Sequence, residues 1–295
     1  MNLLITGGTG TLGQALVRAA LVGERYRKVA VFSRDEAKQH YMRREFIDPR
    51  LRWFVGDVRD YDRLAMALRG MNYAVHAAAL KHVPAGELNP FEHVKTNVIG
   101  SQNLTLAALE TGVQRVLGVS TDKACEPTTL YGATKLCMER LIVASNSISP
   151  TKFSCVRYGN VLGSRGSFLE TLHALKAKGS STFPLRSAES TRFWLPVEDA
   201  AKFVLERLWD MQGGEIFVPK LPSSTALQFA KEILPDAEPV FEPMPPGEKL
   251  HETLISANES QLVEERPTYF VIRPHGPRSN ARPWKYVSDA QTSPA

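Results

Sequence analysis

Only three of the 295 residues are cysteine, and Cys125, Cys137 and Cys155 form neither a CxxC pair nor a metal-ligand spacing with any of the seven histidines. That argues against a disulfide-stapled scaffold and a thiolate metal centre, so reduced thiols and no metal site are expected. No apolar run approaches the ~20 residues that a membrane helix needs, and a strand-like segment begins at Asn2, leaving no room for a secretory leader. A cytoplasmic protein without a membrane partner is the expectation. Charge of one sign does not accumulate either. Lysine and arginine number 36 against 31 acids, for a net +5, but the two signs are interleaved. No tract therefore marks a nucleic-acid partner, and a local site for a phosphate-bearing small molecule stays open. Internal repeats and extended low-complexity segments are also missing.

What the chain does have is an alternation of short apolar strands and helical segments over residues 1–157. This pattern specifies an α/β fold, a Rossmann-type doubly wound parallel sheet. Asn2–Thr6 (NLLIT) reads as a buried strand, and Gly7-Gly8-Thr9-Gly10-Thr11-Leu12-Gly13 then opens a helix. Glycines there permit a tight turn, admit a pyrophosphate to backbone N–H groups and let helix and strand pack closely. A lone glycine pattern is weak, but a strand before it and a helix after it make a dinucleotide site, with Gly7, Thr9, Gly10, Thr11, Leu12 and Gly13 as contacts. The second strand, Lys28–Ser33, ends in Ser33-Arg34, a hydroxyl and a guanidinium suited to a ribose 2′-phosphate. NADP is expected, although Asp35 follows at once and leaves NAD open. After a third strand at Leu51–Val55, Asp57 and Val58 are expected at the adenine. A fourth, Tyr73–His76, runs into Ala77-Ala78-Ala79, which leave room for a flat ligand, and Lys81 follows on the same edge.

A sixth strand at Lys152–Tyr158 ends the regular pattern, and the elements from Gly213 onward are shorter. The expected division is an NADP-binding domain of residues 1–157 plus about 191–212, and a smaller, discontinuous C-terminal substrate lobe of about 158–190 plus 213–273. Residues 274–295 are polar and proline-containing and are expected to be a poorly ordered tail.

Ser120–Lys135 (STDKACEPTTLYGATK) carries the reactive side chains. It joins a buried strand, Arg115–Ser120, to a helical segment, Leu130–Ala144, so Asp122 and Lys123 fall on a strand-to-helix loop where a rigid scaffold commonly holds chemistry. Tyr131 and Lys135, four apart, share a helix face and can approach one ligand. An ammonium that close favours the phenolate and brings Tyr131 towards a useful base. YxxxK by itself also describes many surface helices; the N-terminal glycine loop is what gives it weight.

Together these features resemble the extended short-chain dehydrogenase/reductases. Four strings, HAAALKHVP (76–84), STDKACEPTTLYGATK (120–135), RYGNVLGSRGS (157–167) and PPGEKLHETLIS (245–256), with TRFW (191–194) and GGEIFVPK (213–220), narrow the resemblance. They are similar to the C5-inverting UDP-N-acetylglucosamine 4,6-dehydratases, a polysaccharide biosynthesis family that starts pseudaminic acid synthesis. The resemblance covers about residues 1–273. Ser190 stands where the family usually has Met, Leu195-Pro196 replace Ile-Thr, and the C-terminal segment is short.

The resemblance implies that Tyr131, helped by Lys135, takes the proton of the sugar 4-hydroxyl as hydride leaves C4. The ketone acidifies C5, Lys123 is the base there, Asp122 is the acid for the departing 6-hydroxyl, and hydride returns to C6. Those roles need Lys123 partly neutral, favoured by burial and the nearby Lys135, and Asp122 protonated, favoured by burial. The pair titrates as a unit, so the separate labels are provisional. The resemblance also implies Lys81, Thr121, Asn160, Arg192 and Glu248 as contacts to a UDP-sugar: a cation at the diphosphate, Asn160 at an amide or phosphate, Glu248 at the ribose hydroxyls and Thr121 orienting the sugar. A homo-oligomer, dimer or larger, is implied too. Two other readings stay open. A nucleotide-sugar epimerase or ketoreductase would use Tyr131 and Lys135 but has no need of Asp122-Lys123. A non-catalytic NADP-binding regulator needs none of the four.

Overall fold

The computed structural model describes residues 1–148, 150–164, 166–276 and 279–289. Apolar runs punctuated by turn residues give the strands of the first half: β1 (Asn2–Thr6), β2 (Lys28–Ser33), β3 (Leu51–Val55), β4 (Tyr73–His76), β5 (Arg115–Val119) and β6 (Lys152–Val156). The second half adds β7 (Asn160–Leu162), β8 (Thr182–Leu185), β9 (Thr191–Pro196), β10 (Ile216–Pro219), β11 (Ser223–Thr225) and β12 (Glu238–Phe241). It closes with β13 (Thr253–Ile255), β14 (Val263–Glu265), β15 (Tyr269–Ile272) and β16 (Tyr286–Val287). The helices are α1 (Thr11–Leu21), α2 (Glu36–Glu45), α3 (Tyr61–Leu68), α4 (Val83–Leu88), α5 (Pro90–His93), α6 (Gly100–Thr111), α7 (Leu130–Ala144), α8 (Phe168–Ala177), α9 (Val197–Asp210), α10 (Ala226–Ile233) and α11 (Ala257–Ser260). None of the described helices is long and apolar enough to cross a membrane.

Nine strands form the main sheet in the order β14-β15-β10-β6-β5-β4-β1-β2-β3. Pairing is parallel from β3 through to β10, and antiparallel from β10 to β15 and β14. Strand order reverses between β1 and β4, which opens a crevice at their C-terminal ends. Alternation along β1 shows how both faces are covered. Leu3 and Ile5 pack with α1 and α9 residues such as Leu16 and Val204, while Leu4 packs with Leu64 of α3 and Leu104 of α6.

The expected division needs correction. β10 and β15, from the stretch assigned to the substrate lobe, extend the main sheet, whereas β9 lies in a separate sheet ordered β11-β9-β7. From the 191–212 segment α9 packs on the large sheet's core, and β9 adds Leu195 and Phe193 to it without pairing with its strands. IFVP of β10 is buried throughout, the mark of a strand covered on both faces, but four residues are too few to separate it by pattern from a lobe strand. The smaller lobe is built on β8 paired with β12 and on α8 and α10, around Leu172, Phe183, Leu185 and Ala230. A π-helical turn, Val94–Ile99, separates α5 from α6. That turn lets Asn97 face Leu80 and α7: Leu80 N–H donates to Asn97 Oδ1 (2.8 Å), and Asn97 Nδ2 donates to Leu80 O (2.9 Å) and Thr134 Oγ1 (3.0 Å).

The expected tail is also corrected. β16 pairs with β13, and Tyr286, 4% exposed, packs on Phe193 and Phe270 with ring centroids 4.8 and 5.4 Å away. Leu221 N–H donates to Tyr286 Oη (2.7 Å), and Trp284 adds to the Phe270 cluster. Two aromatics among polar residues and prolines were enough to anchor the segment; residues 290–295 lie outside the described part. Tyr286→Ala is expected to cost about 3 kcal/mol by cavity formation, read as a lower urea midpoint. An unchanged midpoint would mean that the strand is not docked.

Candidate active site

The C-terminal strand edge opens into a cavity of about 840 Å³. Every site residue proposed from the sequence lines it except Asp57. At one end, Gly7 has φ +66°, and a Cβ there would lie 2.8 Å from Ala78 N; a Cβ on Gly13 would lie 2.3 Å from Gly7 O. Side chains at these positions would drive β1, α1 and β4 apart and fill the cradle that the N-terminus of α1 presents. Gly10 caps α1 without a side chain. Thr9 Oγ1 donates to Ser33 Oγ (3.0 Å), and Arg34 and Lys38 add two cations to this end of the wall. Asp35 is engaged at the start of α2: its Oδ1 accepts from Lys38 N–H (2.9 Å), and its Oδ2 lies 2.7 Å from Lys38 Nζ. Glycine cradle, helix terminus and cations fit a dinucleotide. Asp57 instead forms a turn, with Oδ1 accepting from Arg59 N–H (2.9 Å) and Oδ2 from Arg59 Nη2 (2.7 Å).

At the other end the loop after β5 and the start of α7 bring the reactive groups together. Asp122 is 1% exposed. Its Oδ1 accepts from Thr121 Oγ1 (2.8 Å), Lys123 N–H (2.8 Å) and Lys123 Nζ (3.3 Å), while Oδ2 has no partner among the described residues. Burial raises its pKa and outweighs the pull of Lys123. With Oδ1 accepting from three donors, Oδ2 is the oxygen left to carry a proton.

Lys123 differs from the sequence expectation. Burial disfavours its charge, but Asp122 and Glu252, whose Oε1 lies 2.9 Å from Nζ, outweigh burial and hold the ammonium protonated. Glu252 was not singled out from the sequence. It stands at the head of β13 and is 2% exposed; burial would raise its pKa, but Lys123 and Arg192 keep it below the usual carboxylate value. An acid leading into the fully buried run Thr253–Ile255 was the available signal, because a charge at such a place needs a partner. Tyr131 also departs from expectation. Burial pushes it up to about 12, and Lys123 and Thr121, rather than Lys135, pull it down. Lys135 is brought down to about 8 by burial, and its Nζ donates to Met138 Sδ (2.8 Å).

The substrate candidates sort unevenly. Arg192 and Glu248, expected at separate parts of a ligand, are joined: Arg192 Nη2 donates to Glu248 Oε1 (2.8 Å) and Nη1 to Leu250 O (3.0 Å). Thr121 orients Asp122 through its hydroxyl. Asn160 lies on the wall at β7, and Lys81 lines the same cavity, its pKa lowered by desolvation that outweighs Glu170. Two further hydroxyls belong with these, and of the two Thr96 was not singled out from the sequence. Thr96 Oγ1 in the π turn and Ser120 Oγ at the end of β5 are buried without a partner among the described residues, and both residues line the cavity. Together with Asp122 Oδ2 and Glu252 Oε2 they provide four unsatisfied polar atoms, the chemistry of a polyhydroxylated ligand.

A reversed-order parallel sheet with a glycine cradle and a helix-borne Tyr/Lys pair is the architecture of the extended short-chain dehydrogenase/reductases. The chain belongs to the polysaccharide biosynthesis protein family, whose model matches residues 3–274. It is 45% identical over 276 residues to a UDP-N-acetylglucosamine 4,6-dehydratase (inverting) of Campylobacter jejuni, spanning 92% of this chain and 83% of that one. Among solved structures, Pen from Bacillus thuringiensis superposes with a TM-score of 0.91 at 35% identity, covering 100% of this chain and 94% of Pen. DesIV, a dTDP-glucose 4,6-dehydratase from Streptomyces venezuelae with NAD and TYD bound, gives 0.74 at 26% identity over 82% and 85% of the two chains.

Proposed function

We propose that the protein is a C5-inverting UDP-N-acetylglucosamine 4,6-dehydratase of the cytoplasm, forming UDP-2-acetamido-2,6-dideoxy-β-L-arabino-hex-4-ulose. The observation that carries this reading is the buried Asp122–Lys123 pair beside Tyr131, read with the inverting relative. Gly7–Gly13 would hold a nicotinamide cofactor, which would supply the hydride acceptor for C4 and the hydride donor for C6. Arg34 and Lys38 favour NADP, since each can meet a 2′-phosphate and Asp35 is engaged with Lys38.

Tyr131 takes the 4-hydroxyl proton; the Lys123 ammonium and the Thr121 hydroxyl stabilise the phenolate. Once C4 is a ketone, the C5 proton is acidic, and Lys123 is the amine placed to remove it. Asp122 Oδ2 delivers its proton to the 6-hydroxyl, which leaves as water. Each proton transfer is worth roughly 10²–10⁴ in rate. Arg192, Asn160 and Lys81 hold the diphosphate and sugar, and Glu248 positions Arg192. Leu88, Phe91 and Leu106, exposed along α4–α6, support a homo-oligomer.

An epimerase returns hydride to C4 and has no use for a protonated Asp122. Mass spectrometry separates the two: incubation with UDP-N-acetylglucosamine is expected to give a product lighter by one water. A product of unchanged mass would favour the epimerase.

A further inference from the structure

Lys123 cannot remove a proton from carbon while it is an ammonium, and the site holds it as one. Somewhere its own proton must go. Two carboxyl groups are within reach. Asp122 lies 3.3 Å from Nζ, but its Oδ1 already accepts from three donors and its Oδ2 proton is committed to the leaving hydroxyl. Glu252 lies closer, at 2.9 Å, and its second oxygen has no partner among the described residues.

We propose that Glu252 is the proton relay of Lys123, taking the Nζ proton so that the neutral amine attacks C5. This rests on the dehydratase reading. The step balances within the site. A Lys123 N–H bond breaks and a Glu252 O–H bond forms, turning an ion pair into an amine and an acid. The amine lone pair then bonds the C5 proton, and the C5–H electron pair becomes the C5=C6 double bond. The C6–O bond breaks with its electrons on oxygen, which takes the Asp122 proton and leaves as water. Lys123 ends as ammonium, Glu252 as acid and Asp122 as carboxylate, with the total charge unchanged.

The surroundings suit a transfer of this kind. Glu252 is 2% exposed, so solvent competes poorly for its proton. A ligand covering the 29%-exposed Lys123 side chain would raise the penalty on a charged pair and favour the neutral form. The other cations facing Glu252 are both engaged: Arg192 with Glu248 at 2.8 Å and Lys249 with the Cys125 carbonyl at 2.7 Å. Its backbone is fixed by the C-terminal strand, since Glu252 N–H donates to Ser288 Oγ (2.9 Å) and Ser288 N–H donates to Glu252 O (2.8 Å). The docked tail therefore sets where the relay stands.

The test uses full-length Glu252→Gln with its nicotinamide bound, and UDP-N-acetylglucosamine as probe. Binding by calorimetry is expected to stay within a few-fold of wild type, and the absorbance of reduced nicotinamide should build up as C4 is oxidised. Product formation and deuterium incorporation at C5 should fall together by roughly 10²–10⁴. Glu252→Asp, which keeps a carboxylate, should recover part of both, and it carries the test if the glutamine variant does not fold. Loss of the reduced-cofactor signal together with product would make Glu252 a structural residue; unchanged turnover would remove it from the reaction. A wild-type protein that leaves the sugar untouched would instead sink the dehydratase reading itself.

Discussion

Lys123→Met is expected to oxidise its substrate at C4 yet stall before elimination, with product formation down by roughly 10²–10⁴ and reduced nicotinamide accumulating. Methionine keeps most of the side-chain volume and removes the amine, so the cavity's shape changes little. The substitution also frees Glu252 and Asp122 from their shared cation. Glu252 then becomes a buried acid without its nearest counter-charge and takes up a proton, which limits the structural damage. Tyr131→Phe gives the contrasting pattern: no reduced cofactor and no product, because the 4-hydroxyl proton has no acceptor. Stopped-flow absorbance separates the two variants in one experiment. Equal loss of both signals in Lys123→Met would mean that Lys123 serves binding or C4 oxidation rather than C5 chemistry.

Arg157→Ala is expected to cost about 3–5 kcal/mol, enough to leave little folded protein at physiological temperature. Arg157 is 0% exposed and joins three elements. Its Nε and Nη2 donate to Glu139 of α7 at 2.9 and 2.6 Å, and its Nη1 and Nη2 donate to Glu259 of α11 at 3.0 and 2.8 Å. Nη1 also donates to Leu254 O on β13 (2.9 Å). Removing the guanidinium leaves two carboxylates facing each other out of water. Replacing all three partners by apolar residues of similar volume is expected to be far milder, since no charge is stranded. Acidity offers a second reading of the same pair. Burial would raise the Glu259 pKa, but Arg157 and the Ser256 hydrogen bonds bring it down to about 2 from the ordinary 4.5. A carboxyl whose folded pKa is depressed contributes stability above its unfolded value and loses it as pH falls through the folded one. Wild-type stability should therefore decline between about pH 4.5 and pH 2, and the Glu259 share of that slope should vanish in Arg157→Ala. An alanine variant with the wild-type denaturant midpoint would mean that the triad contributes no net stability.

The parts of the site legible in the sequence are those written in consecutive residues. Gly7–Gly13 between a strand and a helix, Asp122-Lys123 on a strand-to-helix loop, and Tyr131 four before Lys135 each carry their geometry in their spacing. What could not be read is what comes together from distant segments. Glu252 reaches Lys123 only because β13 docks beside the loop after β5, and the apolar run after it marks a buried acid without naming its partner. The protonation of Lys123 was misjudged for that reason: burial and Lys135 were foreseen, and the second carboxylate was not. Arg192 and Glu248 were found as residues but not as partners. The placement of β10 and β15 in the main sheet likewise depends on tertiary pairing, since strands this short have no distinguishing period. Trp284 and Tyr286 were lost in a polar, proline-containing context whose average hides two anchors.

Proton NMR of UDP-N-acetylglucosamine incubated with the wild-type protein in D2O, without added cofactor, tests the central claim most directly. The account predicts a 4-keto-6-deoxy product of L-arabino configuration carrying deuterium at C5. A D-xylo product would contradict the assignment of Lys123 as the inverting base, and recovery of the sugar unchanged or epimerised at C4 would contradict the dehydratase itself.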